Sequence, residues 1–402
     1  MGMRLITVFN RYFRKIDILR KYTFAQYTDI FNGVGTFQIN ALLCDENLYF
    51  FDPYETFFVL FDEKFMGKIE TVKKDSDSEY EKTIEITGRM LKYKLQTSVV
   101  YKQQIYSGKT ADVVESIVKN NMCVGAYGNV RYINFNFKKQ TDRYGEMSTI
   151  SNGQWTGGSV YDAIQPLLEN DNMGYEIYPQ LLTETSPMGF MDERTNVLVW
   201  DFNILLGVDR SRGNTKGNEP VIFSHSLSNL ARSSYENDIS NYCYVAYVAG
   251  EGEGNNRVWI ETNQDEREGN DFVATDKPAF GWLRDEIFVD ARDLQKETTD
   301  KTYTDSEYIN LLKQRGFEKL SENVSYKSYD STVTNENKKY EYGKDFNNGD
   351  FVTVIDNELG LELKVQITEV TRSIKGNQEI TDVTFGKHNL TFNERLRKKG
   401  AI

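Results

Sequence analysis

Phe351-Val-Thr-Val-Ile-Asp356, Gln366-Ile-Thr-Glu-Val-Thr-Arg372 and the segment from Thr381 to Lys387, closing on Phe385-Gly386-Lys387, have a counterpart near the N-terminus. There the chain reads Phe57-Phe-Val-Leu-Phe-Asp62, Lys68-Ile-Glu-Thr-Val-Lys-Lys74 and Thr83 to Arg89, closing on Gly88-Arg89. Ile69, Val72 and Gly88 stand at the same relative positions as Ile367, Val370 and Gly386. Every segment is rich in β-branched and aromatic residues, the composition of a strand. Leu361, Leu363, Val365 and Ile367 recur with period two on one face, and Val370 falls out of phase. A phase break inside a strand predicts a β-bulge or sharp bend, as the corner of a small barrel needs. Ile69 and Val72 carry the same break. The pattern predicts one small β-module used twice, which points to a scaffold with internal symmetry over a single-site enzyme.

Working outward, the segments from Arg4 to Phe9, Gly35 to Leu43, Phe57 to Phe61, Gly67 to Lys73 and Tyr80 to Tyr93 read as short strands separated by turns. Strands this short at near-regular spacing predict a small barrel over residues 1–95. The period then changes. Val113, Val114, Ile117 and Val118 lie at helical spacing behind Thr110, which is placed to cap the helix. A strand is expected from Val130 to Phe137. A second helix carries Val160, Ala163, Ile164, Leu167 and Leu168, with Pro166 expected to kink or shorten it. Strands from Gly174 to Tyr178 and Asn196 to Phe202 complete an α+β domain over residues 96–195. Leu206 to Pro220 reads as a loop. Strands resume at Val221–Phe223, Leu227–Tyr235, Tyr242–Ala249, Arg257–Thr262 and Ile287–Asp293. Thr304-Asp-Ser-Glu307 is a capping box opening a helix with Ile309, Leu312, Gly316 and Leu320 as its stripe. Tyr326 to Tyr342 reads as a polar connection with weak strand character, and Asn393-Glu-Arg-Leu-Arg-Lys-Lys399 as a basic tail.

Composition bounds the function. The chain has 402 residues, 39% of them apolar, with 25 Tyr and 24 Phe, so it can build several cores despite a mean hydropathy of −0.57. It carries 48 basic and 60 acidic residues, a net charge of −12. That balance argues against a dedicated nucleic-acid binder, which needs clustered Lys and Arg to neutralise phosphates. Cys44, Cys123 and Cys243 are odd in number and lack metal-ligand spacing, so they read as reduced thiols of a cytosol-made protein. Met1-Gly-Met-Arg-Leu-Ile6 opens no signal peptide, and Ile6 stands where a myristoylation site needs Ser or Thr. No apolar run approaches membrane-spanning length, so no stable membrane anchor is expected.

Catalytic equipment is scarce. The two histidines, His225 and His388, lie in no nucleophile context, and no His/Cys cluster suits zinc. Glu251-Gly-Glu-Gly254 lacks the Lys and Ser/Thr of a phosphate-binding loop, and its carboxylates would repel phosphate; it reads as a hairpin. Carboxylate-only glycoside hydrolysis needs two acids at the right separation, for which Asp285, Glu286, Asp290 and Asp293 are the candidates. The plainer reading is that they pair with Arg284 and Arg292. Trp155, Trp200, Trp259 and Trp282 could line a carbohydrate cleft, but on separate elements they read as core or interface. No catalytic, cofactor-binding or metal-binding residue is assigned.

With these residues in view, the chain resembles phage tail hub proteins, the baseplate hub family that includes the N-terminal hub part of siphophage tail-associated lysins. The resemblance rests on Tyr242-Cys-Tyr-Val-Ala-Tyr-Val-Ala-Gly-Glu-Gly-Glu-Gly254, on Arg284-Asp-Glu-Ile-Phe-Val-Asp-Ala-Arg-Asp293, on Leu311–Leu320 around Arg315-Gly316, on Tyr342–Lys387, and on the order of a barrel followed by an α+β domain. It implies an α+β, mainly β fold with two related small β-barrel domains plus α+β insertion domains, forming a trimeric ring with pseudo-six-fold symmetry. The second barrel would be discontinuous, residues 196–250 and 340–390, with an α+β domain at 251–339 inserted and a tail at 391–402. The implied role is a tail-tip hub, a virion structural protein that adapts a six-fold tail tube to a three-fold spike or fibre. Implied partners are a second and third copy of the chain, the tail tube or distal tail protein, a spike or central fibre protein, and the tape-measure protein. It would assemble in the bacterial host cytoplasm and reside at the tip of a virion or tail-like particle, whether siphophage, contractile phage or phage-derived bacteriocin. The chain stops soon after the second barrel, so the lysin domain of the relatives is not expected. The alternative is a tail-associated cell-wall hydrolase using acids near Asp290.

Overall fold

The computed structural model describes residues 6–19, 21–43, 57–75, 83–123, 131–185, 191–266, 281–298, 301–323, 326–333, 339–357, 360–376 and 378–386. The alternating N-terminal segments form β1 (Ile6–Phe9), β2 (Lys15–Ile18), β3 (Tyr22–Ile30), β4 (Thr36–Leu42), β5 (Phe58–Phe61), β6 (Phe65–Asp75) and β7 (Thr83–Met90). They pair antiparallel in the order β3-β4-β7-β6-β5-β1-β2. Phe37, Ile39 and Ala41 of β4 and Ile84 and Ile86 of β7 point to one buried side, as period-two alternation requires. The sheet rolls around that side. The Tyr27 ring on β3 lies 5.2 Å from that of Phe61 on β5, although three strands separate them in the sheet. The roll keeps Tyr27, Ile39, Val59, Phe61 and Ile84 out of water, each worth about 1.5–3 kcal/mol of apolar burial.

The next stretch carries α1 (Tyr93–Gln96), β8 (Gln104–Lys109), α2 (Thr110–Met122), β9 (Phe135–Lys139), β10 (Thr149–Trp155), α3 (Val160–Asn170), β11 (Gly174–Thr185) and β12 (Met191–Leu205). β10 pairs with β8, and β12 lies between antiparallel β11 and parallel β9. The helical stripes Val113, Val114, Ile117, Val118 and Ile164, Leu167, Leu168 enclose one core with Tyr175 and Phe202. Three local expectations change. Thr110 is the first helical residue instead of the cap, and its hydroxyl donates to the Ser148 carbonyl at 3.2 Å. Pro166 does not stop α3, which starts at a Ser159 cap and runs on to Asn170. Val130 lies outside the described residues, and from residue 131 on the expected strand occupies Phe135–Lys139, where β12 supplies its backbone partners.

The remaining elements are β13 (Ile222–Ser224), β14 (Leu230–Asp238), β15 (Val245–Ala249), β16 (Trp259–Asn263), β17 (Glu286–Asp290), α4 (Asp305–Glu322), β18 (Tyr326–Val333), β19 (Phe351–Asp356), β20 (Leu361–Lys375) and β21 (Gln378–Gly386). β15 is not in the second roll. It is the centre of a three-stranded sheet, antiparallel to β16 and parallel to β17, which its nearly continuous burial suits. α4 covers that sheet. The capping box Thr304/Glu307 is formed, and Tyr308, Leu311, Leu312, Gly316 and Leu320 are buried, whereas Ile309 is exposed. A methyl at Gly316 would meet Thr262 Cγ2 at 2.5 Å, so glycine sets how closely helix and sheet approach. β18 lies between β14 and β21, where a connection is expected; backbone bonds on both edges hold it with little apolar periodicity in its sequence.

The second roll therefore has the order β14-β18-β21-β20-β19, and the first has β3-β4-β7-β6-β5. In both, the strands lie in the order first, second, fifth, fourth, third along the chain, and every neighbouring pair is antiparallel. The next strand differs, since β1 pairs antiparallel with β5 and β13 pairs parallel with β19. The predicted phase breaks are β-bulges in both: the register shifts between Ile69 and Thr71 in β6 and between Ile367 and Glu369 in β20. Equivalent backbone bonds hold them, Ile69 to the Phe57 carbonyl and Ile367 to the Asp350 carbonyl, each 2.9 Å. The glycines shift by one place. Gly88 faces the first bulge, but Phe385, not Gly386, faces the second, because the second hairpin has one residue fewer between its bulge and the residue that faces it.

Candidate functional site at the join between the two rolls

The two rolls meet edge to edge. Beyond its bulge, β20 leaves β19 and pairs with β3 of the first roll, from Glu369 opposite Ile30 to Lys375 opposite Phe24. The bulge creates this switch, because it turns the Thr368 carbonyl outward to accept the Phe31 N–H at 2.9 Å. Across the seam the hydroxyls of Thr28 and Thr371 are 2.9 Å apart, and Ile374 completes the core of the first roll. Phe31 is 3% exposed and fills space beside Gly174 and Gly349.

Two polar clusters sit on this seam. Arg372 Nη1 binds the Asp62 carboxylate at 2.6 Å, and Tyr27 Oη donates to the same carboxylate at 2.9 Å. Burial pushes the Asp62 carboxyl above its ordinary value despite the opposing pull of Arg372, and burial pushes the Tyr27 phenol well up. Lys92 Nζ lies 3.2 Å from Asp29, both side chains 7% exposed, and Asn348 Nδ2 donates to the Asp29 carbonyl at 2.9 Å. Such groups are stable out of water only when paired and hydrogen-bonded, so they fix the register of the join. A cleft of about 570 Å³ opens beside it, lined by Asp62, Lys64, Arg372, Glu379 and Tyr342.

The acids considered for hydrolysis lie elsewhere: Asp285 immediately before β17, where its carbonyl accepts the Tyr244 N–H at 2.8 Å, and the others on β17 and the turn after it. Arg257 reaches Asp290 at 2.6 Å, Arg292 holds both Asp290 oxygens, and Arg315 pairs with Asp293 at 2.9 Å. Arg284 bridges Glu261 and Glu286 at 2.9 and 2.7 Å. Hydrogen bonds from Arg292 and then Arg257 hold the Asp290 carboxyl down at about 2, the opposite of what a general acid requires. His225 sits in a short turn with Nδ1 3.2 Å from the Leu230 carbonyl; His388 lies outside the described residues. The Glu251 turn does join antiparallel β15 and β16, and its Glu251 N–H donates to Tyr308 at 2.8 Å. Trp155 is buried and Trp200 packs against Phe13, while Trp259 and Trp282 are exposed. Cys123 and Cys243 are free and half-buried, and burial pushes the Cys123 thiol up to about 11; Cys44 lies outside the described residues. Among the described residues no group of three or more His, Cys, Asp or Glu could hold a metal, and no helix is long and apolar enough to cross a membrane.

The join rests on β3, for which the sequence reading has no strand, although Tyr22, Thr23, Phe24, Tyr27, Thr28 and Ile30 carry the composition of one. Its partner on the seam, residues 369–375, overlaps the repeated segment Gln366–Arg372 in its first four residues.

Solved structures share the fold. A tail protein from Neisseria meningitidis MC58 superposes with a TM-score of 0.53 at 13% identity, covering 95% of this chain and 96% of that one. The 43 kDa tail protein of prophage MuSo2 from Shewanella oneidensis gives a TM-score of 0.51 at 12% identity, covering 95% and 98%. No curated protein matches the chain. The family model of the Siphovirus ReqiPepy6 Gp37-like protein matches residues 5–387. With that match spanning both rolls and everything between them, the chain has the fold of phage tail and baseplate proteins and belongs to the Siphovirus ReqiPepy6 Gp37-like family.

Proposed function

We propose that this tail/baseplate structural protein is a hub at the tail tip, a homotrimer that adapts a six-fold tail tube to a three-fold spike or fibre. The observation that carries the reading is the five-strand module present twice in one chain and joined edge to edge through β20 and β3. Three copies of a chain with two equivalent modules present six equivalent surfaces on one face, while the parts that are not repeated keep three-fold symmetry. The unrepeated parts are the α2/α3 layer and the β15 sheet with α4. The division into residues 1–95, 96–195, 196–250 with 340–390, and 251–339 serves this role, with all of β12 given to the α+β domain, β18 added to the second module and β15 given to the inserted domain.

In this reading the tail tube or distal tail protein binds the repeated face and a spike or central fibre binds the other. The net charge of −12 keeps the central channel from holding DNA or tape-measure protein. The basic residues 393–399, which lie outside the described residues, dock the fibre. The ion-paired acids around Asp290 give the hydrolase alternative no support. Multi-angle light scattering of the purified chain tests the proposal. The expected mass is three times the 46.5 kDa of the monomer, and a monomer at every concentration overturns it.

A further inference from the structure

The internal join is a template for an external one. Past its bulge, β20 has β21 on one edge and β3 on the other. β6 has the same bulge, but between Glu70 and Asp75 its only strand neighbour among the described residues is β7. β14, the counterpart of β3, is likewise paired on one edge, with β18. The seam strand β20 and its partner β3 thus each have a counterpart whose seam edge has no strand partner among the described residues.

We propose that the β6 edge of one copy of this chain pairs antiparallel with the β14 edge of the next, a head-to-tail seam that repeats the β20–β3 join between protomers. The proposal rests on the trimeric reading above and names the contact that builds it. The register follows from the template. Rows of paired residues across each roll equate Thr71 with Glu369 and Gln26 with Ser234, so Lys73 takes the place of Thr371 and Glu236 that of Thr28. In the template those two side chains touch. In the external seam the same positions hold opposite charges. Lys74 replaces Arg372 and Tyr235 replaces Tyr27, so a cation again faces a tyrosine.

Exposure fits the same mapping. Tyr27 is fully buried and Phe31 3% exposed, whereas their counterparts Tyr235 and Ile239 are 38% and 64% exposed. A large apolar side chain at the end of an unpaired edge strand is a surface suited to partnering. The pairing is also heterologous, since a β6 edge meets a β14 edge and not another β6 edge, so it excludes a two-fold dimer and, with the three-fold closure of the trimeric reading, builds a ring.

Directly opposed residues of an antiparallel pair fall within disulfide range, which gives the test. In a full-length background with Cys44, Cys123 and Cys243 changed to Ser, Lys73→Cys and Glu236→Cys are made singly and together. On oxidation, a mixture of the two single variants is expected to give a covalent dimer, neither single variant alone does so, and the double variant gives covalent trimers. In parallel, Lys73→Glu or Glu236→Lys weakens assembly at least tenfold and the double swap restores it. A trimer by light scattering that neither cross-links in the mixture nor responds to the charge swaps overturns the seam and leaves the trimer standing. A chain that stays monomeric overturns both.

Discussion

β20 and β6 hold the same place in their modules, with the same bulge and the same backbone bond at that bulge, yet beyond it β20 is paired on both edges and β6, among the described residues, on one. After its bulge β20 reads Glu369-Val-Thr-Arg-Ser-Ile-Lys375, a segment that can be enclosed because its cation is matched by Asp62 and Tyr27. β6 reads Thr71-Val-Lys-Lys-Asp75, with two adjacent lysines that keep a lone edge from pairing indiscriminately. The module's topology follows from the apolar pattern the two share. The use of the edge follows from charges they do not share.

The largest contrast lies in those charges. Arg372→Ala leaves Asp62 beside a buried phenol without its cation, and the expected loss is about 3–5 kcal/mol in chemical denaturation. Lys74→Ala, at the matching exposed position, is expected to change the stability of the isolated chain by less than about 0.5 kcal/mol. A comparable loss in both variants would mean that the two edges do not differ as described. Adding Asp62→Asn to Arg372→Ala should recover part of the loss, since the stranded carboxylate is then gone.

The apolar member of the repeat gives a smaller contrast. Val370 is fully buried and Val72 only half-buried, although both sit one residue past the bulge-adjacent pair. Val370→Ala is expected to lower stability by about 2 kcal/mol and Val72→Ala by less than about 1 kcal/mol. Urea midpoints of the two variants decide it, and equal shifts would remove the distinction between an enclosed and an open edge.

The repeat was legible in sequence because its signal is local: period-two alternation broken between Ile69 and Val72 and between Ile367 and Val370. The capping box and the ion pairing of Asp290 and Arg292 were legible for the same reason, since each involves neighbours along the chain. The join was not. Thr28 meets Thr371 and Asp29 meets Asn348 across more than three hundred residues, and nothing in either segment names its partner. β18 leaves only a weak strand signal because backbone bonds to β14 and β21 make it a strand, and such bonds leave no mark on side-chain periodicity. Thr110 looks like a cap by residue type, yet the Ser148 carbonyl captures its hydroxyl.

The smallest contrast is in proton linkage, where the enclosed join and the open β6 edge carry opposite signs. Asp62, on the join, has its carboxyl raised above the ordinary 3.8, first by burial and against Arg372. The folded chain therefore holds that proton more tightly than the unfolded chain does. Its contribution to stability is fully present below 3.8 and is lost as pH rises through the raised value. Glu70, the bulge residue of β6, is lowered from 4.5 by hydrogen bonds from Arg89, whose nitrogens reach it at 2.7–3.1 Å. Its contribution is present above 4.5 and is lost as pH falls through the lowered value, and its partial exposure keeps the effect small. Urea midpoints measured across the acid range should thus separate the two. The advantage of wild type over Asp62→Asn grows as pH falls, and its advantage over Glu70→Gln shrinks. Parallel pH profiles for both variants would mean that burial at the join does not govern Asp62, and the enclosed edge would then be no drier than the open one.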